Sequence, residues 1–297
     1  MEYIAAKNII SNYSQNNIWF GVNYNMDIYK GCCHGCIYCD SRSDCYKISN
    51  FEKVRVKKDS INIIRRELRG EKRKGVVGTG AMSDPYNPYE KKLKLTRSAL
   101  EEINTLNFGV SIATKSSLII RDIDILKKIQ EHSPVIVKIT ITTYDDELCK
   151  KIEPNVCSSS ERFDAIKVLA ESGIYTGVLF MPVLPFINDD AENIENIVKK
   201  AYESGAKFIY STGIGVTLRN YQRQYYYEKL AEIFHDEKLV KKYIDTYGND
   251  YECRSKWADS LWKVFVNECN KYGICYKMKD IIKGYKKYYE EEQLSWF

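Results

Sequence analysis

The stretch Gly31-Cys32-Cys33-His34-Gly35-Cys36-Ile37-Tyr38-Cys39 places four cysteines within nine residues. Cytosolic thiols stay reduced, so such a group is more typical of a metal site than of a disulfide framework. Cys32, Cys36 and Cys39 give a C-x3-C-x2-C spacing, and the alternative register through Cys33 gives C-x2-C-x2-C. Three thiolates from one loop would leave one iron of a 4Fe–4S cluster open to a further ligand. The stretch therefore predicts an iron–sulfur site.

A structural zinc site is the alternative interpretation of the same stretch. Structural zinc takes four protein ligands, often from two paired C-x-x-C modules. No second pair follows nearby in the sequence, although Cys45 or His34 would supply a fourth ligand. The other five cysteines are scattered and are predicted to be ordinary buried side chains: Cys149, Cys157, Cys253, Cys269 and Cys275.

Outward from the cysteines, apolar runs alternate with amphipathic stretches. The runs are rich in Val and Ile, as buried parallel strands are, and predict six strands: Asn23–Lys30, Gly75–Gly80, Phe108–Thr114, Val135–Thr142, Tyr175–Pro182 and Lys207–Thr212. Apolar residues at helical spacing predict a helix after each strand: Ser60–Arg69, Thr96–Leu106, Asp122–Glu131, Ser159–Ser172, Ala191–Ser204 and Tyr221–His235.

This alternation predicts an α/β fold with a parallel sheet and helices outside it. Six units are too few for a closed eight-unit barrel, which leaves a partial (β/α)6 barrel or an open doubly wound sheet. In either fold, ligands bind at the carboxyl ends of the strands. The cysteine stretch directly follows the first predicted strand, so it lies at that end.

The pattern changes to helices after His235. We predict a core over residues 1–235, a helical C-terminal extension over 236–288 and a flexible tail over 289–297. With 44% hydrophobic and 29% charged residues, the composition is that of a globular protein rather than a disordered one. Spanning a bilayer takes about 20 apolar residues, and the most apolar run has ten, with two prolines. No signal peptide is evident, and we expect a cytoplasmic protein with no membrane partner.

The motif Tyr29-Lys30-Gly31-Cys32-x-His34-x-Cys36-x-Tyr38-Cys39 resembles the radical S-adenosylmethionine (SAM) superfamily, and in particular its spore photoproduct lyase-like and DNA repair photolyase-like branch. The resemblance covers roughly residues 20–235 and implies a partial (β/α)6 barrel. It selects Cys32, Cys36 and Cys39 as the cluster ligands. It implies a 4Fe–4S cluster, S-adenosylmethionine on the open iron and an electron donor such as flavodoxin or ferredoxin. The cofactor would be cleaved to a 5′-deoxyadenosyl radical that abstracts hydrogen from a substrate.

The resemblance also implies residues that bind S-adenosylmethionine. These are Tyr38, Ser83, Asp84, Lys115, Thr140 and Thr142. Ser83 and Asp84 follow the second strand, where the family holds the methionine amino group. Lys115 would pair with the methionine carboxylate, Thr140 and Thr142 would reach the ribose hydroxyls, and the tyrosine would pack on adenine.

Two positions depart from the lyase. Ala81 stands where the lyase has a cysteine that donates hydrogen, and Asp40 replaces an aromatic residue after the last cluster cysteine. The first departure puts spore photoproduct repair itself in doubt and leaves the catalytic residue unassigned. The cofactor chemistry is unaffected.

Basic and aromatic residues point to a nucleic acid partner. Residues 53–74 carry ten Lys or Arg against three acids, and residues 271–287 carry six against one. Tyrosines are interleaved in the second stretch and in Arg219–Tyr227. Cationic grooves follow phosphates and aromatic faces stack on bases. The alternative is that these are solvated helix faces whose tyrosines line helix packing.

The C-terminal residues Gln293-Leu294-Ser295-Trp296-Phe297 resemble the pentapeptide with which bacterial polymerases and repair proteins bind the sliding clamp. Gln293, Leu294, Trp296 and Phe297 would contact the clamp. The alternative is that the tail folds back on the core. Taken together, the sequence predicts a radical SAM enzyme acting on DNA or another nucleic acid. The alternatives are a peptide, protein or small-molecule substrate, and a non-enzymatic iron–sulfur or zinc protein that binds DNA.

Overall fold

The computed structural model describes residues 1–13 and 19–294, with side chains as far as residue 289. Its strands are β1 (Glu2–Ile4), β2 (Ile10–Asn12), β3 (Tyr24–Met26), β4 (Tyr29–Lys30), β5 (Arg55–Lys57), β6 (Val76–Thr79), β7 (Gly109–Thr114), β8 (Val135–Thr140), β9 (Thr176–Leu179), β10 (Phe208–Tyr210), β11 (Gly215–Thr217) and β12 (Glu252–Arg254). Its α-helices are α1 (Ser60–Gly70), α2 (Glu90–Leu93), α3 (Leu95–Thr105), α4 (Ile123–Gln130), α5 (Asp146–Ile152), α6 (Ser159–Glu171), α7 (Ala191–Glu203), α8 (Asn220–Phe234), α9 (Glu237–Tyr247), α10 (Ala258–Tyr272) and α11 (Met278–Leu294).

Six parallel strands form the main sheet in the order β3-β6-β7-β8-β9-β10, and β2 adds an antiparallel strand beside β3. The order in the sheet follows the order in the chain, so each crossover advances in the same direction. A doubly wound sheet instead reverses direction at a switch point. The prediction of a partial (β/α)6 barrel is therefore confirmed, and the open doubly wound alternative is wrong. Strands β10 and β2 are the two edges of the sheet.

The first predicted strand, Asn23–Lys30, is divided in two. Its first part, β3, belongs to the barrel, whereas β4 pairs with β5 in a separate sheet of order β1-β5-β4. The chain thus leaves the barrel just before the cysteines. The six predicted helices agree with the structure to within one residue at each end.

Apolar side chains fill the amino-terminal half of the barrel. Phe20, Ile136, Phe208 and Ile281 are fully buried there in one cluster. Ile281 comes from α11, so the C-terminal helix helps to fill the barrel. These side chains pack the lower barrel.

The C-terminal extension also covers the β10 edge. The amide of Ile209 donates to the carbonyl of Cys275 (2.9 Å), and the hydroxyl of Tyr285 donates to the carbonyl of Phe20 (2.6 Å). The predicted division at residue 235 stays a prediction. Helix α11 continues to Leu294, so the backbone of most of the predicted tail is helical. Trp296 and Phe297 lie outside the described residues, as do the side chains of Gln293 and Leu294. Within the described chain, no helix combines the length and apolar character needed to cross a membrane.

Candidate active site

The cysteine loop begins with a turn that requires glycine. Gly31 has a φ of +82°, and a Cβ there would lie 2.6 Å from the carbonyl oxygen of Phe51. The next residue, Cys32, donates its amide to the same carbonyl (2.8 Å). A side chain at this position would therefore be strained and would clash with backbone. The turn fixes where the first cluster cysteine starts.

The turn that follows α5 holds the rest of the loop. The amide of Ile37 donates to the carbonyl of Ile152 (3.0 Å), and the amide of Asn155 donates to the carbonyl of His34 (3.1 Å). The side-chain amide of Asn155 also donates to the carbonyl of Cys33 (3.0 Å). These bonds anchor the backbone between the cysteines and leave the thiols free to face elsewhere.

The thiols of Cys32, Cys36 and Cys39 lie close enough to act on one another. Burial raises the pKa of Cys36 well above its usual value, and the thiols of Cys39 and Cys32 raise it further. The Lys115 ammonium lowers the pKa of Cys36 and of Cys39. These three cysteines and one lysine thus share one small region.

Cys33 belongs to a different environment. Its pKa is raised by burial and by the Asp84 carboxylate. Its side chain packs against the apolar layer outside the barrel, which is the cluster formed between the barrel strands and the helices around them. The thiols of Cys32, Cys36 and Cys39 interact electrostatically, and their assignment as the three cluster ligands stays a prediction. Within the described part of the chain, no three His, Cys, Asp or Glu side chains converge on one metal ion position.

A buried polar network connects Tyr38 to the end of β8. The Tyr38 hydroxyl donates to the Glu153 carboxylate, which forms an ion pair with Arg162 (2.5 Å). Arg162 also donates to the carbonyl of Thr140 (2.9 Å). Burial raises the pKa of Glu153, while Arg162 acts to lower it. The network fixes the orientation of the Tyr38 ring beside the cluster cysteines.

Ser83 and Asp84 are engaged in internal hydrogen bonds. The Ser83 hydroxyl donates to the carbonyl of Gly31 (2.6 Å). The Asp84 carboxylate accepts from the Thr114 hydroxyl (2.7 Å) and from the amide of Lys115 (2.8 Å). Both residues thus brace the cysteine loop against the ends of β6 and β7. Their predicted binding of S-adenosylmethionine stays a prediction.

A cavity of about 750 Å³ opens at the carboxyl ends of the barrel strands. Its lining includes three of the predicted cofactor-binding residues: Tyr38, Lys115 and Thr140. Cys39 lines it as well. Thr142 is buried elsewhere, and its hydroxyl has no hydrogen-bond partner among the described residues. The structure thus places three of the six predicted cofactor-binding residues at this cavity.

One cavity wall was not anticipated. Strands β11 and β12 pair antiparallel, and both line the cavity. Strand β12 lies in the C-terminal extension, so this region contributes to the site. At the rim, the Asp40 carboxylate accepts from Arg219 (3.1 Å) and from the Tyr46 hydroxyl (2.8 Å). Asp40 therefore links the cysteine loop to Arg219, the residue that precedes α8.

Lys138 is a second unanticipated residue of the cavity. It lies in β8, lines the cavity and is 2% exposed. Burial lowers its pKa to about 7. The sequence signal was visible, because Lys138 is the one charged residue in the strand Val135–Thr140.

A family model, the radical SAM superfamily, matches residues 26–196, which is more than half of the chain. The chain belongs to the radical SAM superfamily. The match includes Cys32, Cys36 and Cys39 and the strands β4 to β9.

Relatives are found in archaea and bacteria. This radical SAM protein is 33% identical over 237 residues to an uncharacterized protein of Methanocaldococcus jannaschii, covering 77% of this chain and 86% of the relative. It is 28% identical over 231 residues to an uncharacterized protein of Mycobacterium tuberculosis, covering 75% of this chain and 67% of that one.

Solved structures of spore photoproduct lyase share the fold. The lyase in complex with dinucleoside spore photoproduct has a TM-score of 0.66 at 14% identity, covering 93% of this chain and 81% of the lyase. A variant with bound S-adenosylmethionine and the same dinucleoside has a TM-score of 0.62 at 15% identity, covering 86% and 76%. At these identities the similarity concerns the fold.

Radical SAM proteins use a 4Fe–4S cluster and S-adenosylmethionine, and the residues present fit both. Cys32, Cys36 and Cys39 would supply three thiolates, the ligand type that holds such clusters. The adjoining cavity holds the Lys115 ammonium, which suits a carboxylate, and the ring of Tyr38, which suits a planar heterocycle.

Proposed function

We propose that this radical SAM enzyme acts on a nucleic acid and takes a base into the cavity. When bound, the cluster and S-adenosylmethionine supply a 5′-deoxyadenosyl radical, which removes hydrogen from a substrate. The task of the chain is to hold the cofactors, orient the substrate and exclude water and oxygen. The radical chemistry follows from the family, whereas the substrate class is inferred from the residues at the cavity.

The cavity mouth is the observation that carries this proposal. Tyr251 and Arg254 line the cavity, and Tyr251 is 44% exposed. The Arg219 guanidinium lies 4.7 Å from the centroid of the Tyr251 ring. Trp257, 58% exposed, follows at the start of α10, with the Lys256 ammonium 5.3 Å from its ring centroid. Exposed aromatic faces beside cations are what single-stranded nucleic acid binds.

The tyrosines that first suggested nucleic acid have another role. Tyr285 is 4% exposed, and Tyr272 and Tyr276 pack against the apolar layer outside the barrel. Tyr226 is fully buried and shares a hydrogen bond with the hydroxyl of Tyr243 (2.9 Å). For these residues the packing alternative holds. The support for a nucleic acid partner now comes from the cavity mouth.

The spore photoproduct lyase structures add support of a different kind, since that enzyme binds a dinucleoside in the same fold. The lyase reaction itself is not part of the proposal. Ala81, at the position of the lyase's hydrogen-donating cysteine, lines the cavity. A methyl group there cannot return hydrogen as a thiol does.

Anaerobic assay of the reconstituted, reduced enzyme tests the proposal. We expect single-stranded or duplex DNA or RNA to increase the formation of 5′-deoxyadenosine over the rate without nucleic acid. The Cys36→Ala variant, which lacks a cluster ligand, serves as the blank. An intact, reduced cluster with no response to any nucleic acid would contradict the proposal. A response to peptides or small molecules would replace it with the alternative substrate class.

Three further proposals rest on the sequence. Flavodoxin or ferredoxin would supply the electron that radical SAM enzymes require, and the enzyme would work in the cytoplasm. The C-terminal residues 293–297 would bind a bacterial sliding clamp. Deleting residues 293–297 should abolish clamp binding in a pull-down with purified clamp and leave 5′-deoxyadenosine formation intact. If the intact chain fails to bind the clamp, the clamp proposal is wrong.

A further inference from the structure

Lys138 lies at the boundary between the packed lower barrel and the cavity. In the sheet register it stands between Ala113 of β7 and Gly177 of β9. Its ammonium is 4.7 Å from the ring centroid of Phe20, which belongs to the apolar filling of the barrel. On the cavity side, Ala113 and Leu179 form apolar walls around it. Lys138 therefore provides a cationic group beside apolar residues deep in the cavity.

The fold gains little from a lysine at this position. Its one hydrogen bond among the described residues goes to the hydroxyl of Ser111 (2.6 Å), which is itself fully buried. It makes no ion pair in the described part of the chain, and burial alone shifts its pKa. A buried ammonium without a carboxylate destabilises a protein. A methionine would fill similar space without that cost, so we look for the benefit in ligand binding.

We propose that Lys138 and Ser111 form a binding position for a carbonyl oxygen of the substrate at the cavity floor. An ammonium has three N–H donors, and the Ser111 hydroxyl takes one. At least one more donor is available to a ligand that enters the cavity. The Ser111 hydroxyl fixes the direction in which the amine presents it.

A base carbonyl fits this position better than a phosphate does. Ala113 and Leu179 beside Lys138 are apolar and suit the face of a planar ring. A phosphate there would lose its hydration shell and gain the contact of only one cation, Lys138, in return. The exposed Arg254, which lines the cavity, offers phosphates a better-hydrated position. This assignment rests on the proposed function, because it takes the substrate to be a nucleic acid.

Oligonucleotides of one length and one base type test the inference. Thymine, guanine and cytosine carry a ring carbonyl, and adenine carries none. With the reconstituted wild-type enzyme, we expect the apparent KM for stimulation of 5′-deoxyadenosine formation to be about tenfold lower for oligo(dT) than for oligo(dA), as one such hydrogen bond would give. Lys138→Met should raise the KM for oligo(dT) about tenfold and leave that for oligo(dA) nearly unchanged.

Two further variants make the result specific. Ser111→Ala should change the oligo(dT) value in the same direction but by less, since the amine loses only its orientation. Lys199→Met, an exposed lysine on α7 that pairs with Glu203, should change neither value. Thermal unfolding should show Lys138→Met at least as stable as wild type, whereas a structural lysine would lower the unfolding temperature when replaced.

The outcomes separate this inference from the proposed function. If all four oligonucleotides stimulate equally and Lys138→Met affects them equally, the carbonyl position is wrong while the nucleic acid substrate stands. If no oligonucleotide stimulates the wild-type enzyme, the proposed function fails, and the base carbonyl fails with it.

Discussion

The Tyr38 hydroxyl, next to the last cluster cysteine, donates a hydrogen bond to the buried carboxylate of Glu153. The two residues are separated by more than a hundred positions in the chain, and Arg162 neutralises the carboxylate from α6. The geometry of the cluster loop therefore depends on an ion pair in the neighbouring β/α units.

Glu153→Gln should destabilise the protein by about 3 kcal/mol, because Arg162 would be left as an uncompensated charge that is fully buried. Chemical denaturation of the metal-free protein measures this directly. Glu203→Gln breaks an exposed pair with Lys199 and serves as the control. It should leave the free energy of unfolding nearly unchanged. Equal effects of the two variants would show that the buried pair is not structural.

The cluster ligands can be separated from their neighbour Cys33. Cys36→Ala should abolish the visible absorbance of the reconstituted cluster, its iron content and the formation of 5′-deoxyadenosine. Cys33→Ala should preserve all three, since the family motif skips Cys33 and its side chain packs against apolar residues. If Cys33 proves essential and Cys32 dispensable, the register of the motif is wrong.

Lys138 should make stability depend on pH in a defined direction. Burial lowers its pKa from 10.5 to about 7, so between these values the unfolded chain binds the proton that the folded chain lacks. The free energy of unfolding therefore rises with pH across that window. Below it, the folded protein carries the full cost of burying the charged amine.

The measurement is the free energy of unfolding of Lys138→Met minus that of wild type. We expect this difference to be positive near pH 7 and to shrink by up to about 1.4 kcal/mol per pH unit towards pH 10. The other titratable groups of the cavity are common to both proteins and cancel: Tyr13, Tyr38, Cys39, Asp40, Lys115, Tyr251, Glu252, Cys253 and Arg254. A difference that does not vary with pH would contradict the burial of an unpaired amine.

Trp257, three residues after the cavity-lining Arg254, should stack on a base. Trp257→Ala should weaken the binding of a short single-stranded oligonucleotide by about 1–3 kcal/mol, measured by fluorescence anisotropy. Tyr288→Ala, which removes a 72% exposed aromatic residue from α11, is the matched control. Similar losses from both variants would point to non-specific adhesion rather than to a binding surface at the mouth.

The fold was largely predictable from the sequence because the barrel strands are buried on both faces. Val135–Thr140 is nearly all Val and Ile, so its length and type follow from composition. The break after Met26 was missed, because Tyr29 and Lys30 continue the same extended pattern and differ only in pairing with β5. Pairing partners depend on tertiary structure and leave no local signal.

The spacing of Cys32, Cys36 and Cys39 was enough to predict the superfamily, which the family model confirms, whereas their role as cluster ligands stays a prediction. Polar residues at strand ends were harder to interpret. Asp84 and Lys115 are both of this kind, yet the Asp84 carboxylate is taken up by internal hydrogen bonds whereas Lys115 lines the cavity. The mouth residue Tyr251 was missed because it adjoins a three-residue strand far from the motif in sequence.

Isotope transfer to 5′-deoxyadenosine tests directly whether a nucleic acid is the substrate that loses hydrogen. The reconstituted enzyme would be incubated anaerobically with S-adenosylmethionine, reductant and uniformly deuterated single-stranded DNA, and the 5′-deoxyadenosine would be analysed by mass spectrometry. If nucleic acid is the substrate, the product carries deuterium taken from the DNA. Product that is formed without deuterium, from a preparation with an intact cluster, would show that the hydrogen comes from another source and would contradict the account.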